Sequence, residues 1–333
     1  MRFCLIGCGE HGVSSHGPSL ALYATSHPGL ELAGCCDADG ARAERFRERF
    51  RFARAYTDVE AMLDAERPDA VALVVPVSLT CPIGTRVLSR GIPLLLEKPP
   101  GETVSDVDRL AASAREGGRD GHAVPHQVAF NRRYVPLVAM LRDRVERLPA
   151  ASPVQHVRYE MVRVNRRDPD FSTTAIHAID AMRFIAGSDF AEVRFRYQPL
   201  GGLGEGVANI FMDAILRSGA TAHLSFCPVG GVVIERVQLH ALDHTLLVEI
   251  PMWGGYDTPG RLVHLERAAV VEDVRGACGS DVPAVVLGGF YGEYEAFFDG
   301  LAAGRPLAPS LEGSRQSVEV AEAMRARRKE WRS

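Results

Sequence analysis

The chain has 333 residues, a length that points to two domains, and its 46% apolar and 24% charged composition is that of an ordinary soluble globular protein. Thirty-eight basic against forty-two acidic residues leave a formal charge of −4, so there is no basic excess with which to coat a nucleic acid. No apolar run approaches the ~20 residues needed to span a bilayer, and Met1-Arg2-Phe3-Cys4 runs straight into a short apolar strand with no signal-peptide pattern. Seven cysteines, at 4, 8, 35, 36, 81, 227 and 278, include no CxxC pair. A cytoplasmic protein with neither a disulfide framework nor a metal site is therefore expected.

In chain order, the first 125 residues alternate short apolar runs with helical stretches. Phe3–Ile6, Leu30–Cys36, Ala70–Val75 and Leu94–Leu96 read as buried strands. Thr57-Asp58-Val59-Glu60 reads as a capping box, Ser105 to Asp108 opens another helix, and Gly117-Gly118 closes it. Strand and helix in alternation predict a parallel sheet. After about residue 150 the period changes to two. Val157–Met161, Val193–Tyr197, Ile210–Leu216, Ala220–Phe226, Arg236–Ala241 and Thr245–Ile250 predict a half-wet antiparallel sheet, with turns at Arg217-Ser218-Gly219 and Asp243-His244. Between these strands, Phe171–Arg183 reads as a helix ended by Gly187, and two more helices are expected near 288–303 and 311–328. The fold class is α/β, with an N-terminal parallel-sheet domain over 1–125 and a second α/β domain over 126–333.

Gly7-Cys8-Gly9-Glu10-His11-Gly12 is a G-x-G-x-x-G loop that follows the first strand and opens a helix, with Asp37 at the end of the second strand. In a dinucleotide site Gly7 makes the tight turn, Gly9 admits a pyrophosphate to the backbone, and Gly12 lets helix and strand pack closely. Asp37 would accept hydrogen bonds from the adenosine ribose. Asp37 and Asp39 place negative charge where a 2′-phosphate would sit and favour NAD, although Arg42 and Arg45 keep NADP open. Gly17-Pro18 interrupts the first helix, which must start late or kink.

Lys98, in Glu97-Lys98-Pro99-Pro100, stands at the carboxyl end of a parallel strand, where such sheets bind ligands. Thr173, His177 and Asp180 share one face of the Phe171–Arg183 helix, so a hydroxyl and a carboxylate can orient the imidazole. The segment Arg163-Val164-Asn165-Arg166-Arg167-Asp168 either binds an anionic or polyol substrate through Arg163 and Arg166 or is a solvated edge of arginine–aspartate pairs.

With these landmarks and Val128-Ala129-Phe130-Asn131-Arg132-Arg133-Tyr134 in order, nearly the whole chain resembles the Gfo/Idh/MocA oxidoreductases. The resemblance implies a Rossmann domain followed by a domain with an open, mostly antiparallel sheet, and substrate bound between them beside the nicotinamide. It implies Lys98 and His177 as the catalytic pair, with Thr173 where many relatives carry aspartate. The cofactor contacts are Gly7, Gly9, Glu10, His11, Gly12, Asp37, Pro76, Glu97 and Lys98; Thr80 stands four residues after Pro76, where many relatives have histidine. Substrate contacts fall on Asn131, Arg163, Arg166, Thr173 and Asp180. The expected reaction is NAD(P)-dependent oxidation or reduction at a secondary hydroxyl of a sugar, sugar acid or cyclitol. An NAD-retaining glycosidase and a non-catalytic dinucleotide-binding regulator are the alternatives. A homo-dimer or homo-tetramer is expected through the second sheet, with Phe195 and Tyr197 in the contact patch.

Overall fold

A computed structural model of the chain describes residues 1–276 and 282–333, so Cys278 lies outside the described residues. The first block runs β1 (Arg2–Ile6), α1 (Gly17–Ser26), β2 (Glu31–Cys36), α2 (Gly40–Phe50), β3 (Arg54–Tyr56) and α3 (Val59–Glu66). It continues through β4 (Ala70–Leu73), α4 (Val77–Ser89), β5 (Leu94–Glu97), α5 (Val104–Glu116) and β6 (His126–Ala129). Every pairing is parallel, in the order β3-β2-β1-β4-β5-β6. This is the doubly wound dinucleotide-binding order, with its switch point between β1 and β4. Strands β1, β4 and β5 are buried on both faces apart from Arg2, which is why they read as unbroken apolar runs.

The second block contains α6 (Pro136–Glu146), β7 (Val154–Val162), α7 (Ser172–Ala186), β8 (Phe190–Pro199), β9 (Ala208–Leu216) and β10 (Thr221–Cys227). Strands β11 (Ile234–Ala241), β12 (His244–Ile250), β13 (Arg261–Glu266) and β14 (Ala269–Arg275) follow. The chain closes with α8 (Ala284–Leu287), α9 (Phe290–Ala302), α10 (Leu311–Arg325) and β15 (Glu330–Arg332). Nine strands form one sheet, β14-β13-β12-β11-β7-β10-β9-β8-β15, in which only β7 and β10 run parallel.

The compact units are discontinuous, unlike the single division at 125/126 drawn from composition. One joins Met1–Phe130 to Phe290–Arg315, the other Asn131–Gly289 to Gln316–Ser333. The physical reason is apolar packing: Tyr294, Phe297 and Phe298 of α9 belong to the same buried cluster as Phe3, Leu5 and Phe46.

Two caps differ from the sequence expectation by a residue or two. Asp58, not Thr57, caps α3 by accepting from the Ala61 N–H, and the box on α5 is Thr103 with Asp106. Phe195 and Tyr197 do not form an open patch. Phe195 is buried, and the Tyr197 hydroxyl donates to the Arg328 carbonyl at 3.0 Å under the Arg327 guanidinium. Pleat alternation instead turns Arg194 with its cross-strand partner Asp213, together with Arg196 and Ile215, outward.

The second unit is built around a buried carboxylate. Glu235 on β11 accepts from Arg132 Nη2 at 2.8 Å and Nε at 3.1 Å, from Arg163, and from the Tyr159 hydroxyl. Burial alone would push the Glu235 carboxyl up, but the two guanidinium groups hold it at about 2. Removing it strands two buried cations, which costs far more than the net worth of the pairs. Glu235→Ala should lose about 3–5 kcal/mol, measured by guanidinium denaturation; a loss under about 1 kcal/mol would refute the network's role.

Candidate functional site

In the first unit the expected cofactor residues lie along the carboxyl edge of the parallel sheet: the glycine loop after β1, Asp37 after β2, Pro76 at the N-cap of α4, Glu97 ending β5 and Lys98 after it. The three loop glycines differ in what constrains them. Gly7 has φ +104°, and an added Cβ would overlap the Val74 carbonyl oxygen beyond β4. At Gly12 a Cβ would come 2.8 Å from the Gly7 oxygen. At Gly9 it would meet nothing within 4 Å, so nothing in the fold requires glycine there. Open space above that backbone is what a pyrophosphate needs, and Gly9 leads directly into the opening turn of a helix, where N–H groups favour anions.

Asp37 holds this loop in place. Its Oδ2 accepts from the Cys8 N–H at 2.9 Å and its Oδ1 from the Asp39 N–H at 3.0 Å. The carboxylate retains further lone pairs for ribose hydroxyls. Arg42 pairs with Asp37 at 3.4 Å and Asp39 at 3.7 Å, so the nearest cation is already engaged by acids. The loop, Asp37 and the charge balance all suit NAD.

The interrupted helix is the feature the pattern could not resolve. Residues Gly12–His16 form a π-turn closed by the Gly17 N–H on the Gly12 carbonyl, and α1 then starts with Pro18 in its first turn. The wider turn sets His11 and His16, five residues apart, against one side chain. Glu97 Oε1 accepts from His11 Nε2 at 2.9 Å and His16 Nε2 at 2.8 Å, while Oε2 accepts from the Lys98 N–H at 2.9 Å. His16 Nδ1 lies 2.9 Å from the Tyr294 hydroxyl of α9. The arrangement that satisfies every member has Tyr294 donating to Nδ1 and both imidazoles donating through Nε2. Burial alone would raise the Glu97 carboxyl; the two imidazoles beside it hold it well below the usual carboxylate range. Burial pushes the His16 imidazole down, against the pull of Glu97, and keeps it neutral.

Sequence reasoning expected no metal, yet the donor atoms of His11, His16 and Glu97 lie within 4.8 Å of one another. Direct contacts of 2.8–2.9 Å mark a hydrogen-bonded cluster. A bound ion about 2.1 Å from each donor would have to push them apart. His16, Tyr294 and Glu293 escaped the sequence reading. Only a break in helical register at Gly17-Pro18 hinted at His16, and nothing local hinted at α9.

Glu293 is fully buried beside this cluster, and its two carboxylate oxygens have no partner among the described residues. Burial first, then the Glu97 charge, pushes its carboxyl well above the usual range, with Lys98 opposing. Lys98 is half-buried, and two buried prolines follow it.

In the second unit the expected substrate residues divide into two groups. Asn131, Arg163 and Asp180 are buried and internally bonded, which corrects their expected place at a substrate surface. Asn131 donates to the Gly288 carbonyl at 2.7 Å, and Arg163 serves Glu235. Asp180 takes a bidentate Arg133 at 2.7 Å and the Ser317 hydroxyl at 3.3 Å. Thr173 and Arg166 are half-buried, with Arg166 on Asp168 at 2.7 Å as the solvated-edge alternative supposed. His177 sits on the same face of α7 as Thr173 and is 9% exposed.

The first unit is thus a dinucleotide-binding module with a lysine fixed at its strand ends. Residues 1–122 match the GFO_IDH_MocA model, described as the oxidoreductase family with an NAD-binding Rossmann fold. An inositol 2-dehydrogenase of Corynebacterium glutamicum (strain R) is 27% identical over 180 residues, 51% of this chain and 50% of that protein. The chain matches about half the length of such curated relatives. Across the full length the fold is that of a UDP-N-acetylglucosamine 3-dehydrogenase from Acidithiobacillus ferrooxidans, with TM-score 0.81, 22% identity and 99% and 98% of the two chains covered. It is also that of a levoglucosan dehydrogenase in complex with NADH, with TM-score 0.82, 18% identity and 100% and 98% covered. No helix among the described residues is long and apolar enough to cross a membrane.

Two outcomes follow from this geometry. Gly9→Ala should leave the melting temperature within about 2 °C and weaken NAD binding at least tenfold, whereas Gly7→Ala should destabilise the fold; calorimetry and cofactor titration separate them. Equal effects of the two would contradict the assigned roles. Glu293 has a raised folded-state pKa, so its contribution to stability is greatest below the unfolded value of about 4.3 and is lost as pH rises above it. Glu293→Gln removes that titration. It should melt at least about 2 °C above wild type at pH 7 and converge with it near pH 3.5; a lower melting point at pH 7 would overturn the assignment.

Proposed function

We propose that this chain is an NAD-dependent dehydrogenase or reductase acting on a secondary hydroxyl or the matching ketone of a sugar, sugar acid or cyclitol. The observation that carries it is the Glu97 hub. A buried carboxylate ties the Lys98 backbone, His11 of the glycine loop and His16 of the π-turn together at the carboxyl edge of an NAD-binding sheet. The names of the relatives, which act on inositol and on sugar hydroxyls, support the substrate class.

When bound, the nicotinamide supplies the acceptor or donor of the hydride equivalent. The residues of the chain handle binding and the proton. Lys98 donates a hydrogen bond to the reacting oxygen and stabilises the negative charge that grows there in the transition state. His177 takes the hydroxyl proton in oxidation and returns it in reduction. Thr173, one turn before His177, offers a hydroxyl on the same helix face that can orient the imidazole. Arg166 contacts an anionic or polyol substituent. Asp37 accepts from ribose hydroxyls and, with Asp39, disfavours NADP.

Association of copies through the outer face of the nine-stranded sheet belongs to the same proposal. That face mixes exposed Ile215 and Leu247 with the charges of Arg194 and Glu249. The protein is assigned to the cytoplasm, which suits its buried free thiols: burial pushes Cys4 and Cys36 up to about 12.

Lys98→Met removes the ammonium and keeps the stem. Turnover of any accepted polyol should fall by about 10²–10⁴-fold while NAD affinity stays within about threefold. Stopped-flow absorbance at the reduced nicotinamide band gives the first quantity and calorimetric titration the second; undiminished turnover would sink the assignment.

A further inference from the structure

The connection from β12 to β13, residues 251–260, is built as a rigid mount for an exposed ring. Its flanks are anchored. Pro251 and Met252 are buried, and the buried Asp257 carboxylate accepts from Arg236 Nη2 at 2.8 Å and Nε at 2.9 Å. At the tip, the Gly255 N–H donates to the Met252 carbonyl at 2.6 Å across Trp253 (φ +45°) and Gly254 (φ +70°). Two left-handed central residues are the signature of a type I′ turn, whose first central position suits asparagine or glycine. A bulky side chain there is a backbone outlier, and such outliers cluster at ligand contacts. Trp253 is 65% exposed despite this.

The indole rests on charge that cannot move away. The guanidinium carbons of Arg163 and Arg132 lie 5.3 and 5.8 Å from its ring centre, and both groups are buried and bonded to Glu235. Arg163 Nε is buried there with no acceptor among the described residues. Strand register pairs Ile250 with Glu235 and Glu235 with Met161. The Trp253 turn therefore leaves the sheet at the same end as the 163–170 segment that leads into Thr173 and His177.

We infer that Trp253 is a stacking platform for the C–H face of a pyranose or cyclitol ring, so that it sets ring-substrate affinity and takes no part in the chemistry. This rests on the dehydrogenase proposal above. Such rings present an apolar, slightly positive C–H face between polar hydroxyl edges, and the electron-rich face of an aromatic ring attracts it. A platform fixed in advance loses little freedom when the ligand arrives. An extended acyclic polyol offers no such flat face.

The chain has two tryptophans, and Trp331→Phe leaves Trp253 as the sole indole reporter. With saturating NAD, pyranoses and cyclitols should change its emission in a saturable way, while sorbitol and mannitol should not. Trp253→Asn suits the left-handed turn and should fold at least as stably as wild type. It should raise KM for cyclic substrates at least tenfold with kcat within about threefold, and Trp253→Phe should recover most of that loss. Unchanged KM in Trp253→Asn overturns the platform even where dehydrogenase activity is present. A change in sedimentation without a change in KM also overturns it, by making the indole a contact between copies. Absence of turnover on every polyol sinks the dehydrogenase proposal instead; the emission titration then decides the platform alone, and an unresponsive indole rejects it.

Discussion

A carboxylate buried without partners would cost several kcal/mol or take up a proton, and Glu97 does neither because three donors reach it. Its two oxygens collect two imidazoles and the Lys98 N–H. Each donor is a constraint on the chain. The Lys98 contact fixes where the backbone leaves β5. The His11 contact ties that point to the exposed half of the glycine loop, and the His16 contact demands the five-residue π-turn. Tyr294 extends the chain of hydrogen bonds into α9, a helix that begins 193 residues past the end of β5 and packs with the first unit. An α-helical turn in place of the π-turn would rotate His16 away from Glu97 and leave the carboxylate short of a donor.

The second unit solves the same problem with different groups. Glu235 is held by two arginines and a tyrosine drawn from two segments, the 131–134 turn and β7 with the residue just after it. The choice of partners separates the two clusters physically. Arginine stays charged at every accessible pH, so the Glu235 network is a permanent clamp. Histidine can donate while neutral, so the Glu97 network holds its carboxylate through the buried His16 without a second permanent cation.

This difference explains what was legible in the sequence. The parallel order of the first sheet, the hairpins of the second and the α7 helix with its Gly187 cap follow from periodicity and turn chemistry, which are local. The placement of Gly7, Gly9, Gly12, Asp37 and Lys98 at the carboxyl edge of the sheet was legible because strand, loop and helix border one another in the chain. What escaped was non-local. Asn131, Arg163 and Asp180 look like ligands of a substrate from composition, but their partners, Gly288, Glu235 and Arg133, lie on other elements and turn them inward. His16 was hidden by the change of helical register, and the short edge strands β3 and β15 have too few residues to show a period.

The glycine loop shows how far residue identity and role can come apart. Gly7 and Gly12 answer to the fold, one through its positive φ and the other through its contact with the Gly7 carbonyl, so they would be needed in a protein that bound nothing. Gly9 answers to nothing inside the protein. A residue that sacrifices backbone entropy without a structural return marks the approach of a ligand. Asp37 lies between these cases: its hydrogen bonds to the Cys8 and Asp39 N–H groups shape the loop, and its carboxylate keeps acceptor capacity beyond them. Because Arg42 is already shared between Asp37 and Asp39, a 2′-phosphate would meet net negative charge and no available cation from α2's first turn. The same contacts that hold the loop in shape thus engage the nearest arginine.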